Sequence, residues 1–126
     1  MYKYLMLLLL VAGCAPGVVP VTGRLTKGTE PIAGVMVSLS PIDASSDASV
    51  AHGGTEPDGK FTLYSLPRKG VIPGVYKVTL QPPTDGPAAK LVPSKFTDIN
   101  KTTWKITIPP AGILDLQLDV SKDTIQ

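Results

Sequence analysis

The chain contains a single cysteine and a single histidine. One cysteine cannot form a disulfide within the chain, and an unpaired cysteine in an exported protein needs a specific explanation. Zinc sites draw several ligands from histidine and cysteine, so the sequence predicts no zinc site. We therefore expect no metal and no cofactor, and we expect His52 to be a surface residue on a strand.

A basic stripe is also missing. The 12 basic and 10 acidic residues nearly balance, whereas binding to nucleic-acid phosphates requires clustered lysine and arginine. Nucleic acid is therefore excluded as an expected partner.

The chain has no apolar run long enough to span a bilayer, which needs about 20 residues. Residues 1–13 are almost wholly apolar, with Lys3 as their charge. A basic start followed by about eight apolar residues, Leu5 to Ala12, is typical of a signal peptide, and Pro16 prevents the run from continuing as a helix. Residues 1–13 are therefore predicted to be a signal peptide.

The end of this segment, Val11-Ala12-Gly13-Cys14, resembles the bacterial lipobox. The resemblance implies that the Cys14 thiol receives a diacylglyceryl group, that residues 1–13 are removed, and that the new N-terminus is acylated by a chain such as palmitate. Two or more acyl chains hold a protein stably on a membrane. Ala15, in place of the aspartate linked with inner-membrane retention, slightly favours the outer membrane. The alternatives are an ordinary secretory leader, with Cys14 as a bystander, or a buried N-terminal helix.

After the lipidated N-terminus and a short tether, residues 14–17, the chain alternates apolar and polar residues with the period of half-buried strands. Prolines and glycines lie mainly between these runs, and no helix is predicted after the leader. About seven strands are expected within residues 18–120, with a weak one near Val50 to Thr55, and residues 121–126 are expected to be a frayed tail. The predicted inward faces are Val19, Val21 and Leu25; Val35, Val37 and Leu39, in a strand ending at Pro41; Phe61 and Leu63; Tyr76, Val78 and Leu80; Trp104, Ile106 and Ile108; and Leu114, Leu116, Leu118 and Val120.

The sequence Glu56-Pro57-Asp58-Gly59 is the clearest turn, because glycine accepts the positive φ that such hairpins need. Three further segments, residues 42–49, 67–74 and 82–102, are predicted to be exposed loops. Loops on a rigid scaffold are the usual place for binding a partner.

Three segments together resemble carboxypeptidase regulatory-like domains. They are Val21-Thr22-Gly23-Arg24-Leu25 followed by Pro31-Ile32-Ala33-Gly34-Val35-Met36-Val37, then Thr55-Glu56-Pro57-Asp58-Gly59-Lys60-Phe61-Thr62-Leu63, and Pro73-Gly74-Val75-Tyr76-Lys77-Val78. The later stretch, Val92 to Thr97, Trp104, and Asp115 to Leu118, is similar to small planctomycete lipoproteins of this type. The resemblance implies an all-β fold, a seven-stranded antiparallel Greek-key sandwich of the prealbumin-like type, and it implies no reaction.

Candidate chemical groups each have a structural explanation. Ser45 and Ser46 lie in a predicted loop without the sequence context of a nucleophile. Four acids, Asp43, Asp47, Glu56 and Asp58, are interpreted as turn and loop residues rather than as calcium ligands. Trp104 begins an alternating strand, which favours core packing over a sugar-binding platform.

The sequence therefore predicts a non-enzymatic, membrane-anchored binding or structural domain of the cell envelope, facing the periplasm or the exterior. Its expected partners are the membrane, through Cys14, and an envelope protein or polysaccharide. The alternative is a carbohydrate- or peptide-binding module, which should expose an aromatic patch. A prealbumin-like enzyme is a further alternative, and it should gather polar residues in a pocket.

Overall fold

The computed structural model describes residues 17–44, 48–65, 68–123 and 125. The predicted signal peptide, Cys14, Ser45, Ser46 and Asp47 lie outside these residues. The strands are β1 (Val21–Lys27), β2 (Glu30–Pro31), β3 (Met36–Ala44), β4 (Ala51–Gly54), β5 (Lys60–Thr62), β6 (Tyr64–Ser65), β7 (Arg68–Lys69), β8 (Gly74–Gln81), β9 (Lys105–Ile108) and β10 (Ile113–Asp119). A short helix, α1 (Pro87–Leu91), and a 3-10 helix (Ser94–Thr97) lie between β8 and β9.

The strands form two sheets. In the four-stranded sheet the order is β10-β1-β2, with β5 beside β2 along the same edge of β1, and in the six-stranded sheet it is β7-β6-β4-β3-β8-β9. The all-β prediction is confirmed, and the two sheets are consistent with a sandwich. One pair departs from the antiparallel prediction, because β1 and β10 run parallel.

The inward side chains of both sheets join in one hydrophobic cluster. Alternation identified most of this core, because side chains on a strand point to opposite faces in turn. Fully or almost fully buried residues include Val21, Leu25, Val35, Val37, Leu39, Phe61, Leu63, Tyr76, Val78, Leu80, Trp104, Ile108 and Leu118.

Strand β3 does not end at Pro41, as the sequence predicted, but continues to Ala44. Its pairing with β4 ends at Leu39, so that Pro41 lies opposite Tyr76 of β8 and beyond the last residue of the β4 ladder. Proline is tolerated where a strand edge needs no further N–H donor. Residues 42–44 are therefore strand rather than loop, and an irregularity in register between Pro41 and Asp43 marks the change.

Phe61 and Leu63 were predicted on one strand, but the chain changes sheets between them. Strand β5 pairs with β1, whereas β6 pairs with β4. Gly53 makes the crossing possible, because a Cβ atom there would lie 2.2 Å from the Thr62 carbonyl oxygen. Both side chains nevertheless point into the core, because the core lies between the two sheets.

Leu114 was predicted to face the core and is instead 71% exposed. The β1–β10 register shifts between Val21, opposite Ile113, and Gly23, opposite Leu116. A bulge of this kind inserts one residue and reverses the alternation locally, while Leu116 and Leu118 remain buried.

The segment 82–102 was predicted to be an irregular loop, but it contains α1 and the 3-10 helix. Pro87 stands in the first turn of α1, where its missing N–H costs nothing. Phe96 is fully buried and stacks on Trp104, with ring centroids 4.1 Å apart. Within the described residues, no helix has the length and apolar character needed to cross a membrane.

The start of the predicted frayed tail is also held in place. The Trp104 indole Nε1 donates to the Lys122 carbonyl oxygen at 3.0 Å, and the Thr103 hydroxyl donates to the Asp123 carbonyl oxygen at 2.5 Å. The Lys95 ammonium forms an ion pair with the Asp123 carboxylate. These contacts arise from tertiary packing, which the composition of the tail does not reveal.

Candidate functional site

The strand registers bring residues 17–20, 68–74 and 109–112 to one end of the two sheets, which we call the entry end. Val19 and Val71 exchange two backbone hydrogen bonds there, at 2.8 and 2.9 Å. Gly70 forms a bridge with Tyr64 of β6. The chain therefore enters the domain beside the β6–β7 edge of the six-stranded sheet.

The three predicted binding loops do not share one end of the molecule. Residues 48–50 and 68–74 lie at the entry end, together with the end of β3, because Ala44 pairs with Gly74 and Gly74 pairs with Ile108. Segment 82–102 lies at the opposite end, after Gln81, which pairs with Met36. Val71 is also buried, so residues 68–74 are only partly available to a partner.

His52 is exposed on β4, as predicted, and it has a partner that the sequence did not reveal. Its Nδ1 atom lies 3.0 Å from the Ser38 hydroxyl oxygen on β3, directly across the strand pair. Tyr64 lies opposite His52 on the other side. Alternation placed Ser38 on the outer face, but the register that joins it to His52 is a tertiary property.

The concavity beside His52 is small and mostly apolar. It has a volume of about 220 Å³ and is lined by Met36, His52, Gly53, Gly54 and Tyr64. A cleft that recognises a small molecule more often measures several hundred Å³ with convergent polar groups. Its chemistry therefore suits surface contact with an apolar or ring-shaped group better than enclosure of a substrate.

The aromatic side chains of the described residues divide between core and surface. Trp104, Tyr76 and Phe61 are at most 2% exposed, which confirms the core interpretation of Trp104. Tyr64 is 39% exposed. The burial of the first three weakens the carbohydrate-binding alternative, because they cannot form a stacking platform.

Two adjoining grooves, of about 610 and 430 Å³, cross the outer face of the four-stranded sheet and share Arg24 and Gln117. The charges there are mixed. Lys60 lies 3.9 Å from the Asp58 carboxylate, and the Gln117 amide donates to Asp115 at 2.6 Å. Such a face favours neither a strongly anionic nor a strongly cationic ligand.

Two of the candidate acids stand at the predicted turn. Asp58 accepts a hydrogen bond from the Lys60 backbone N–H at 3.0 Å, and Gly59 there has φ +83°, which confirms the turn. The Glu56 N–H donates to the Lys60 carbonyl oxygen. Within residues 17–44, 48–65, 68–123 and 125, no three His, Cys, Asp or Glu side chains gather closely enough to hold a metal ion.

Asp119, which the sequence did not single out, has the most developed hydrogen bonding of the described carboxylates. Its Oδ1 accepts from the Ser121 hydroxyl at 2.6 Å and from the backbone N–H groups of Gly28 and Ser121 at 3.0 Å each. The Ser121 hydroxyl, and then the Gly28 N–H, lower the pKa of Asp119. This arrangement joins the β1–β2 turn to the end of β10 and is structural in character.

Comparison with protein-family models, curated proteins and solved structures gave no match for this chain.

Proposed function

We propose that this protein is an exported lipoprotein, held on a membrane by acyl chains on Cys14, with a non-catalytic binding or structural β-sandwich. The lipobox-like Val11 to Cys14, the preceding apolar run and the presence of one cysteine support the anchor. The proposed location is the bacterial envelope, with the outer membrane slightly favoured.

The observation that carries the proposal is the position of Val19. It follows Cys14 by five positions and is fixed to Val71 by paired hydrogen bonds. An extended chain of that length spans at most about 17 Å. A lipid on Cys14 would therefore keep the entry end, and the β6–β7 edge beside it, close to the bilayer.

The proposed fold type is the prealbumin-like, Greek-key sandwich of carboxypeptidase regulatory-like domains. The turn at Glu56 to Gly59 supports it, since it lies where the resembling motif has its hairpin. The parallel pairing of β1 with β10 brings the first and last strands together. The proposal assigns no reaction to the domain.

The anchor is tested by Cys14→Ser in the native type of host. We expect the substitution to abolish incorporation of labelled fatty acid and to release the protein from the membrane fraction, because serine has no thiol to receive diacylglycerol. Ala15→Ser is the matched control, since it alters the neighbouring residue and leaves the cysteine in place. Unchanged labelling and retention of Cys14→Ser would refute the anchor.

A second candidate function is a carbohydrate- or peptide-binding module. The exposed Tyr64 ring beside His52 is the observation that favours it. The footprinting experiment described below distinguishes it from membrane contact at the same face.

A further inference from the structure

The outer face of the six-stranded sheet carries large apolar side chains that are partly exposed. Met36 and Tyr64 are 40% and 39% exposed. Met36 and Tyr64 flank the outward Gly54, where a Cβ atom would meet nothing within 4 Å. An exposed apolar group of this kind, bordered by polar residues, is typical of an interaction surface.

Two lysines lie side by side on the same face. Lys77 of β8 lies directly opposite Lys105 of β9, and like charges in this position destabilise a sheet. Lys77 donates to the Ile99 carbonyl oxygen at 3.2 Å. Neither lysine belongs to the Lys60–Asp58 or the Lys95–Asp123 ion pair. An anionic partner would relieve this repulsion.

Away from the entry end, the alternating outward positions of this face carry neutral or basic side chains, among them Ser40, His52, Lys77 and Lys105. Asp43 lies at the entry end of the sheet, opposite Val75 and after the register shift in β3. Asp115 of β10 lines a concavity beside β9 that Lys105 also lines. The outer face of the four-stranded sheet differs, because Arg24 and Lys60 there share their groove with Glu56 and Asp115.

The tether of the proposed anchor leaves the domain beside this face. Gly70 bridges Tyr64, and its neighbour Val71 holds Val19. A chain of five residues spans about 17 Å at full extension, whereas packed sheets lie roughly 10 Å apart. Because the tether is longer than the thickness of one sheet layer, Cys14 can reach a bilayer on which the six-stranded sheet lies flat.

We propose that the outer face of the six-stranded sheet, defined by Met36, His52, Tyr64, Lys77 and Lys105, docks on an anionic lipid surface. The apolar side chains enter the headgroup region, and the lysines meet the lipid phosphates. The inference rests on the proposed function, because one lipid-bearing residue brings this face to the membrane. It adds an orientation, in which the four-stranded sheet faces away from the bilayer.

The test is lysine footprinting of the lipidated protein, reconstituted in vesicles of phosphatidylcholine with 30% phosphatidylglycerol. A charged acetylating reagent is applied, and rates are compared with those in detergent. We expect Lys77 and Lys105 to react about 30-fold more slowly on vesicles, the order of effect of two basic residues at an anionic surface. Lys27 and Lys60, on β1 and β5, serve as internal controls and should be unchanged.

A variant pair tests the role of charge. Met36 is the one methionine after the predicted cleavage site, so its oxidation by a bulky polar oxidant reports on this face alone. Lys77→Gln with Lys105→Gln should restore rapid oxidation of Met36 on the anionic vesicles. The matched control, Lys27→Gln with Lys60→Gln, should leave Met36 protected. Salt at 0.5 M should weaken the protection in the wild type, because it screens charge.

The docking proposal would be overturned if the labelling rates of both lysine pairs changed equally between detergent and vesicles, even if mass spectrometry shows acyl chains on Cys14. Protection that is equally strong on pure phosphatidylcholine would overturn its anionic part. Protection that requires added envelope polysaccharide or peptide would overturn it in favour of the second candidate function. Absence of acyl chains from Cys14 refutes the proposed anchor separately, because that measurement does not depend on the footprint.

Discussion

Several polar side chains in this protein form hydrogen bonds with backbone groups. Tyr76 is fully buried, and its hydroxyl donates to the Ile72 carbonyl oxygen at 2.5 Å. Burial raises the pKa of Tyr76. Asp119 does the equivalent at the surface, since one carboxylate oxygen accepts three donors. The Gly28 donor reaches Asp119 only because β1 pairs with β10, so the sequence could not predict that contact.

Asp119 gives the fold a pH dependence. Its folded-state pKa lies below the ordinary value of 3.8, so the ionised group stabilises the folded state above that value. The contribution is lost as the pH falls through the lowered pKa. Asp119→Asn should lower the free energy of unfolding at pH 7 by up to about 1 kcal/mol, a small effect because the site is partly solvated.

The measurement is urea unfolding of the wild type and the variant between pH 2.5 and pH 7. The two curves should converge at the acidic end. Asp85→Asn, at an exposed position, is the control and should change little at any pH. A difference between wild type and Asp119→Asn that persists undiminished at pH 2.5 would contradict the role of the charge.

Among the elements, the parallel pair β1–β10 depends on one close approach. A Cβ atom on Gly23 would lie 2.2 Å from the Leu116 carbonyl oxygen and 2.9 Å from the Phe61 ring. The backbone of Gly23 has an ordinary φ, so the constraint is space rather than conformation. The sequence indicated a strand here, but glycine in a strand does not show which neighbour approaches it.

Gly23→Ala should therefore separate β1 from β10 or displace Phe61, and lower the free energy of unfolding by about 2 kcal/mol or more. Gly54→Ala is the matched control, because the added methyl group meets nothing within 4 Å. It should be neutral or slightly stabilising through the unfolded state. Chemical denaturation of both variants checks this, and equal stability of the two would show that the contact at Gly23 can relax.

At the scale of the whole molecule, segment 82–102 completes the core at the end opposite the entry. Phe96 stacks on Trp104, and the Trp104 indole holds Lys122 of the C-terminal segment. The Thr102 hydroxyl donates to the Val78 carbonyl oxygen at 2.7 Å and joins the segment to β8. Although it contains four prolines, this connection is part of the domain rather than an appendage.

Phe96→Ala should accordingly cost about 3–5 kcal/mol, the usual loss for a buried phenylalanine. Such a loss approaches the whole stability of a small domain. Because Phe96 belongs to the same core cluster as the inward residues of both sheets, the sheets and the segment should unfold in the same transition. Calorimetry together with circular dichroism tests this. Thr97→Ala, at a neighbouring exposed residue, is the control. Loss of the segment alone, with the sheet transition unchanged, would show that it folds independently.

By itself the sequence determined which side chains point inward on most strands and where the Glu56 to Gly59 turn lies, because alternation and turn chemistry are local. It also supplied the pattern around Cys14, on which the anchor proposal depends. Only the tertiary structure decided that the chain changes sheets at Leu63, that a bulge turns Leu114 outward, and that Lys77 meets Lys105. These features depend on strand register, which is set by contacts between residues distant in the chain.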